Sequence, residues 1–538
     1  MPLEAEYHTV VVGGGPAGST TAALLAMKGL KVLLLERELF PRAHVGESLL
    51  PASLPIFDSL GVRDSIDNAG FVKKYGAAMV WGNDRSTWSW LFAETKGPYS
   101  HSYQVTRPEF DMILLENARE KGVHIRQKCQ VLGPLFAEND STVAGVEFLN
   151  QDGNHEKITA QIVIDASGQQ TLFANQFNLK DWDTSFKHLA IYGYYSGGEH
   201  LPAPDHGSIL IESFENGWVW KIPLHDGSTS VGVVMDAAWA QHEIRKSSVG
   251  QVFKTQVGLT NENSNLISQA TFKEETHLIK DWSYVTTKMT GDGYVLVGDA
   301  ACFIDPLFSS GVHLALQSGV LAAAYAATAI SSPDLAKSAA RQYEATYRRR
   351  YGYFHELARL FYGSNKSLDS QFWQDRALDE ENWSDTSREE FINVVAGNAP
   401  EGYERVVIDQ GHAPENFISA IEEAESSRVS RATRSQQFGN DELLRRSPRL
   451  IDQARLVKGA TLGDGIYELG YLLQTSARPE GYPVIPPIAL LLNLMDKERS
   501  VATLAKEVAS NLDLDDAITE ELVLVAIRNL AADGLIEL

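Results

Sequence analysis

The residues best suited to chemistry begin at Gly13, Gly15 and Gly18. They stand in a GxGxxG spacing between the apolar run His8 to Val12 and an Ala/Leu-rich stretch. In this pattern the first glycine allows a tight turn, the second lets backbone approach a pyrophosphate, and the third lets helix pack on strand. The free N–H groups and partial positive charge of the helix N-terminus then favour phosphate. Glu36 closes the next apolar run, Lys31 to Leu35, 23 residues after Gly13. A carboxylate there accepts from a ribose 2′-hydroxyl. A glycine-rich turn without a ligand is the competing reading. Two more acidic turns follow strand-like runs: Asp165-Ala166-Ser167-Gly168 and Val297-Gly298-Asp299-Ala300-Ala301. Asp299 alone would serve as a helix N-cap. Lys73 and Lys74 are adjacent, so on a strand they face opposite ways; Trp218 and Trp220 are two apart and share a face. A desolvated lysine amine is a nucleophile, and an ammonium is a hydrogen-bond donor. Pro306-Leu307-Phe308-Ser309-Ser310-Gly311 opens a long Ala-rich stretch, where the N–H groups of Ser310 and Gly311 suit a small anion.

The segment Gly217-Trp218-Val219-Trp220-Lys221-Ile222-Pro223 contains WxWxIP. With the GxGxxG it resembles the FADH2-dependent halogenases. Further stretches are similar to the branch that halogenates phenolic and related substrates, some held on carrier proteins. They are FPRAHVGESLLP (40–51), GFVKKYGAAMVWG (70–82), YQVTRPEFDMILLENAREKGV (103–123), VGDAACFIDPLFSSGVHLA (297–315) and YRRRYGYFHELARLFY (347–362). The resemblance spans roughly 1–380.

It implies a flavin monooxygenase-like fold that binds FAD at Gly13, Gly15, Ala17, Gly18 and Glu36. Asp299 would lie near the ribityl chain and pyrophosphate, and Arg107 and Gly311 beside the flavin. A surface ion pair is the competing reading for Arg107. In the family mechanism reduced flavin and O2 give a C4a-hydroperoxide, and chloride or bromide attacks its distal oxygen. The resulting hypohalous acid crosses a short tunnel to a lysine, which delivers halogen to an electron-rich ring. The K-x-G pattern assigns that lysine to Lys74, two residues before Gly76, rather than to Lys73. Ser310 and Gly311 would hold the halide. Trp218 and Trp220, with Ile222 and Pro223, would wall the tunnel; ordinary aromatic packing explains the indoles equally well. Phe308 stands where the tryptophan-halogenase branch has a glutamate, so the resemblance does not point to free tryptophan. Glu47 is the candidate replacement carboxylate, against a purely structural hydrogen-bonding role. Phe308 and Tyr351 (i+4 from Tyr347) are candidates for the acceptor pocket, against core packing. The implied acceptor is a small phenolic or tyrosine-derived ring in secondary-metabolite biosynthesis, free or carrier-tethered. The single dinucleotide fingerprint implies a separate NAD(P)H flavin reductase. A flavin hydroxylase or prenyl reductase of the same fold, or a non-catalytic FAD-binding scaffold, are the competing functions.

The elements that must position these residues read as an α/β, Rossmann-like FAD module over 1–335, with an antiparallel β-sheet substrate region inserted at about 176–280. A helical region, 336–480, would cover the substrate side. Residues 481–538 read as three helices and a strand, the order of a winged helix. That tail has four basic and ten acidic residues, which disfavours DNA and suits a lid or docking module. The whole chain of 538 residues carries a formal charge of −23, which disfavours nucleic acid and anionic membranes. It also argues mildly against an acidic carrier unless a strip such as Arg348, Arg349 and Arg350 supplies the contact. Two cysteines suit a reducing compartment, here the cytoplasm, and no metal-ligand spacing stands out. The N-terminus reads as a strand entry without a signal peptide. The apolar stretch Gly311 to Ile330 reads as a buried helix rather than a membrane span.

Overall fold

The computed structural model describes residues 6–81, 85–94, 99–138, 141–365, 371–374, 430–433, 437–476, 478–496 and 498–538. Two compact units emerge. One contains residues 1–327 with 346–384 and 399–414; the other contains 328–345, 385–398 and 415–538.

The first unit is built on two eight-stranded sheets. In the first sheet, Tyr294–Leu296, His155–Asp165, Tyr7–Val12, Val32–Leu35 and His124–Arg126 lie side by side and parallel. Val10 to Val12 and Val32 to Leu35 are almost completely buried, as unbroken apolar strands of a covered parallel sheet should be. The helix Pro16–Met27 starts directly after the first strand, with Pro16 at its first turn and Gly15 as an extended N-cap.

The second sheet runs Cys302–Phe303, Thr271–Thr286, Lys180–Ser196, Ser228–Asp236, Gly217–Pro223, Ile209–Phe214, Gly76–Val80, Thr87–Leu91. It is antiparallel except where Ile209–Phe214 meets Gly76–Val80. It therefore reaches beyond the expected 176–280 insertion on both sides. The early strands were not recognised as members because their partners lie more than a hundred residues away. Both faces are covered. Trp218, Trp220 and Ile222 pack with Leu307, Phe361 and Tyr362, while Val219, Val231 and Val233 pack with Phe253 and Val257. Alternation along the strand thus feeds two cores, and all seven residues of Gly217–Pro223 are buried.

A third, small sheet pairs Val72–Lys74 with Ser102–Gln104, and Ser48 bridges to Gln104. The Ala-rich stretch forms the helix Ser310–Ser331, which is long and apolar enough to cross a membrane but is mostly buried within the protein.

The second unit corrects the helical reading of 336–480. Arg455–Leu462, Tyr467–Gln474 and Tyr482–Val484 form a three-stranded antiparallel sheet, turned at Gly463 to Ile466. The first two strands are only partly buried and mix polar with apolar residues, so no clean two-residue period marked them. Residues 375–429 of that region lie outside the described residues. The tail forms helices Pro486–Leu494, Val501–Leu512 and Asp516–Ala532, then the strand Ile536–Glu537, which pairs with Arg449–Leu450. Leu504, Val508, Val523 and Ile527 form its core.

Candidate active site

A cavity of about 370 Å³ opens where the parallel sheet, the second sheet and the start of the helix Ser310–Ser331 meet. The glycine turn forms one part of its wall. Gly13 adopts φ +105°, and a Cβ there would lie 2.4 Å from the carbonyl oxygen of Ala166. A Cβ on Gly18 would lie 2.0 Å from the Gly13 carbonyl. Gly15 differs: its missing Cβ leaves open space, with only the Arg42 guanidinium at 3.4 Å. That is a cradle into which a diphosphate fits at a helix N-terminus. Glu36, at the end of the second strand, accepts from the N–H of Gly14 and of Glu38, both at 2.7 Å. Glu36 and Ala17 also line the cavity.

Arg107 starts the helix Arg107–Glu120 and reaches the cavity wall. It is buried and grips Asp111 with two hydrogen bonds of 2.8 and 2.9 Å, so a surface ion pair is excluded. It also donates to the carbonyl of Val45. Its cation, followed by burial, pushes the neighbouring His44 imidazole down to about 4. Asp299 lines the same cavity; burial lifts its carboxyl to about 7 against the pull of Arg107. The residues present therefore fit FAD: a glycine cradle, a carboxylate and a buried guanidinium around one hollow.

At the far end stand Trp218, Trp220, Ile222, Ser309, Gly311 and Val312. Trp220 occupies space that only the glycine at 232 leaves free, since a Cβ there would lie 2.1 Å from the indole ring. Pro223 ends the strand outside the cavity lining. Gly311 faces the cavity in the first turn of its helix; Ser310 is buried and does not line it. Glu47 does line it. Burial pushes its carboxyl up to about 7, opposed by hydrogen bonds from Ser230 and Tyr194. The Tyr194 hydroxyl donates to Oε1 at 2.8 Å.

Lys74 and Lys73 separate as strand alternation requires: Lys73 is exposed and Lys74 is 2% exposed. The Lys74 Nζ donates to the Leu49 carbonyl at 3.2 Å and sits 3.5 Å from Ser309 Oγ. Burial alone pushes its amine down to about 7. Ser309, in a left-handed conformation at φ +57°, thus has the cavity on one side and the amine on the other. Phe308 and Tyr351 do not line the cavity. Phe308 packs edge-on against Phe361 at 4.7 Å, and Tyr351 stacks on His355 at 5.6 Å.

Behind the indoles lies a buried network that the sequence did not announce. Trp218 Nε1 donates to the Tyr362 hydroxyl, which donates to Asp305 Oδ2 at 2.8 Å. His188 Nδ1 meets the same oxygen at 3.0 Å, and Asp305 Oδ1 accepts from the Leu307 N–H. Asp305 thereby fixes the turn that ends at Ser309 and ties it to the tryptophan wall. Its partners lie 57 and 117 residues away, so no spacing could reveal them. Arg42 and Asp111 were likewise missed, although Arg42 lies inside the FPRAH motif. Among the described residues no group of three or more His, Cys, Asp or Glu is arranged to hold a metal ion.

Comparison with known proteins agrees with this geometry. The chain is 34% identical over 383 residues to tryptophan 2-halogenase of Chondromyces crocatus, covering 71% of this chain and 72% of that protein. It is 32% identical over 445 residues to the 1H-pyrrole-2-carbonyl-[peptidyl-carrier protein] chlorinase of Pseudomonas fluorescens, covering 78% and 94%. Among solved structures, the flavin-dependent halogenase CmlS superposes with a TM-score of 0.75 at 26% identity, covering 99% of this chain and 96% of CmlS. The tryptophan halogenase family model matches residues 8–101 and 93–424, and the chain belongs to that family, the flavin-dependent halogenases.

Proposed function

We propose that this halogenase makes hypohalous acid in the flavin cavity and spends it on an electron-rich, phenolic acceptor at Lys74. The observation that carries this reading is the buried Lys74 amine, separated from the cavity by the single residue Ser309. Bound FAD, reduced by a separate NAD(P)H-dependent reductase, supplies with O2 the oxidising equivalent that turns chloride or bromide into hypohalous acid. The chain's own residues do the rest. Gly15 and the N-terminus of Pro16–Met27 hold the diphosphate, Glu36 the ribose, and Asp299 and Arg107 the middle of the cofactor. The first turn of Ser310–Ser331 presents N–H groups to the halide at Gly311. Trp218 and Trp220 exclude water and bulky acceptors from the flavin side. Lys74 polarises the hypohalous acid by hydrogen bonding, or carries the halogen on nitrogen.

Phe308 supports a phenolic over an indole acceptor, because no carboxylate stands at that position to activate a weaker nucleophile. Glu47 contacts the cavity and supports a proton-holding role on the flavin side. The chlorinase from Pseudomonas fluorescens is named for a carrier-bound substrate. A tethered acceptor is therefore offered in the test beside the free one. Two buried free thiols, Cys129 and Cys302, support residence in a reducing cytoplasm.

The test combines the protein with FAD, a flavin reductase, NADH, O2 and chloride or bromide over a panel of phenols, free and carrier-tethered. A halogenated phenol that requires halide is the expected product. Hydroxylation only, or reductant consumption without halogenation, overturns the reading.

A further inference from the structure

Among the described residues, four buried side-chain atoms in or next to the small sheet that carries Lys74 have no hydrogen-bond partner: Ser48 Oγ, Ser102 Oγ, Gln104 Oε1 and Ser208 Oγ. Three of them share one face with the lysine. In the small sheet Ser48 stands opposite Gln104, and Ser102 opposite Lys74. Directly opposed residues project to the same side, as do residues two apart on a strand. Ser48, Gln104, Ser102 and Lys74 therefore form one row, flanked on the same face by the partly buried Val72, while Tyr103 and Lys73 project the other way. All four members of the row are buried. One end is Ser48, which lines the cavity; the other is Lys74, paired with Ser102.

The orientation of the Gln104 amide is fixed. Its Nε2 donates to the Gly207 carbonyl at 3.1 Å, so Oε1 must be the atom left without a donor. Ser208 follows directly. The loop carrying it lies flush on the strand, because a Cβ on Gly207 would come within 2.3 Å of the Lys73 carbonyl. Buried polar atoms in native proteins are almost always satisfied by protein or by ordered water. A polar, enclosed row with several convergent acceptors and donors is where internal water is held. Neighbouring strands lie about 4.8 Å apart, a separation that one water bridges.

We propose that this face binds a file of ordered water running from the flavin cavity at Ser48, past Gln104 and Ser102, to Lys74, and that the file is the amine's proton route. The proposal rests on the halogenase reading above. As the carbon–halogen bond forms and the oxygen–halogen bond of the hypohalous acid breaks, the Lys74 ammonium gives a proton to the departing hydroxyl oxygen, which leaves as water. The ring then loses its proton to solvent, and the neutral amine takes one back through the file from the flavin cavity. The sum is ArH + HOX → ArX + H2O, with Lys74 restored. Ser48, Ser102 and Gln104 are thus positioning residues, acting through water on Lys74.

A high-resolution crystal structure of the FAD-loaded protein tests the site directly and does not depend on any acceptor. Waters within hydrogen-bond distance of Ser48 Oγ, Gln104 Oε1, Ser102 Oγ and Lys74 Nζ are expected. A dry row, or side chains that satisfy one another, overturns the proposal even if the enzyme halogenates. Ser102→Ala then tests the route. Its turnover is expected to fall roughly tenfold, with acceptor KM, flavin absorbance and melting temperature unchanged and a larger solvent deuterium isotope effect in a single turnover. Ser102→Thr, which restores a hydroxyl, is expected to recover the rate. Unchanged turnover in Ser102→Ala, or no recovery in Ser102→Thr, overturns the proton route. A wild type that never halogenates refutes the functional reading and leaves the water structure to decide the site.

Discussion

The two ends of the cavity are held by different kinds of contact. At the glycine end, the turn Gly13 to Gly18 is held by its own backbone and by the Ala166 carbonyl beside it, at distances that exclude a Cβ on Gly13 and on Gly18. At the lysine end, Lys74 rests on Leu49 and Ser309, and the wall around it on Trp218, Tyr362, Asp305 and His188, through side chains far apart in sequence. The first end is a rigid local device for binding. The second is an assembly of distant side chains in which burial pushes the Lys74 amine toward its neutral form. A change at the first should abolish cofactor binding. A change at the second should leave the cofactor bound and alter what is done with its oxidising equivalent.

The sharpest break is expected from Gly18→Ala. The new methyl group collides with backbone rather than with a movable side chain. Destabilisation on the order of 3 kcal/mol or more should result, together with loss of bound FAD by absorbance. Full flavin binding at wild-type melting temperature would show that the turn is not the cradle.

Lys74→Met should move stability the other way. Burial lowers the folded-state pKa to about 7 from 10.5, so the folded protein binds its proton less readily than the unfolded chain. The penalty is full below about pH 7 and fades as pH rises toward 10.5. Methionine should therefore stabilise by a few kcal/mol, roughly, at pH 6 and by little at pH 10. Thermal melts across that range check the sign.

Tyr362→Phe removes the hydroxyl that joins Trp218 to Asp305 but keeps the ring stacked on His188. A loss of about 1–3 kcal/mol is expected from the buried partners left behind. The Michaelis constant for halide should rise and FAD affinity should not, because the turn ending at Ser309 loosens. A flavin affinity that falls in step would merge the two ends into one.

Glu47→Gln should show an opposite pH sign to Lys74→Met. A carboxyl lifted to about 7 favours the folded state at low pH and loses that advantage as pH rises from about 4.5 through 7. The amide variant should melt with the wild type near pH 4.5 and higher than it at pH 8.

The same contrast explains what could be read from the sequence. The glycine end is written in consecutive residues: the glycine spacing follows from backbone geometry, and Glu36 ends the next strand of the same unit. Lys74 was legible from strand alternation and the K-x-G segment, which put one lysine in and one out. Arg107 was singled out beside the competing surface ion pair, and its burial against Asp111 was not legible, since an i,i+4 pair looks the same on a surface. The Asp305 network and the row from Ser48 to Lys74 join strands and helices up to 144 residues apart, and only the folded sheets bring them together. The sheet at Arg455–Leu462 escaped because half-exposed strands lack a clean period.

The central claim is that oxidation of halide and transfer of halogen occur at separate, connected places. It is tested most directly by giving wild type and Lys74→Met the same FAD, reductase, O2 and halide with both a phenolic acceptor and a freely diffusing β-diketone halogen trap. The account predicts that Lys74→Met still binds FAD and halogenates the trap, while halogenation of the acceptor falls at least about a hundredfold. Acceptor halogenation at the wild-type rate in Lys74→Met would contradict it.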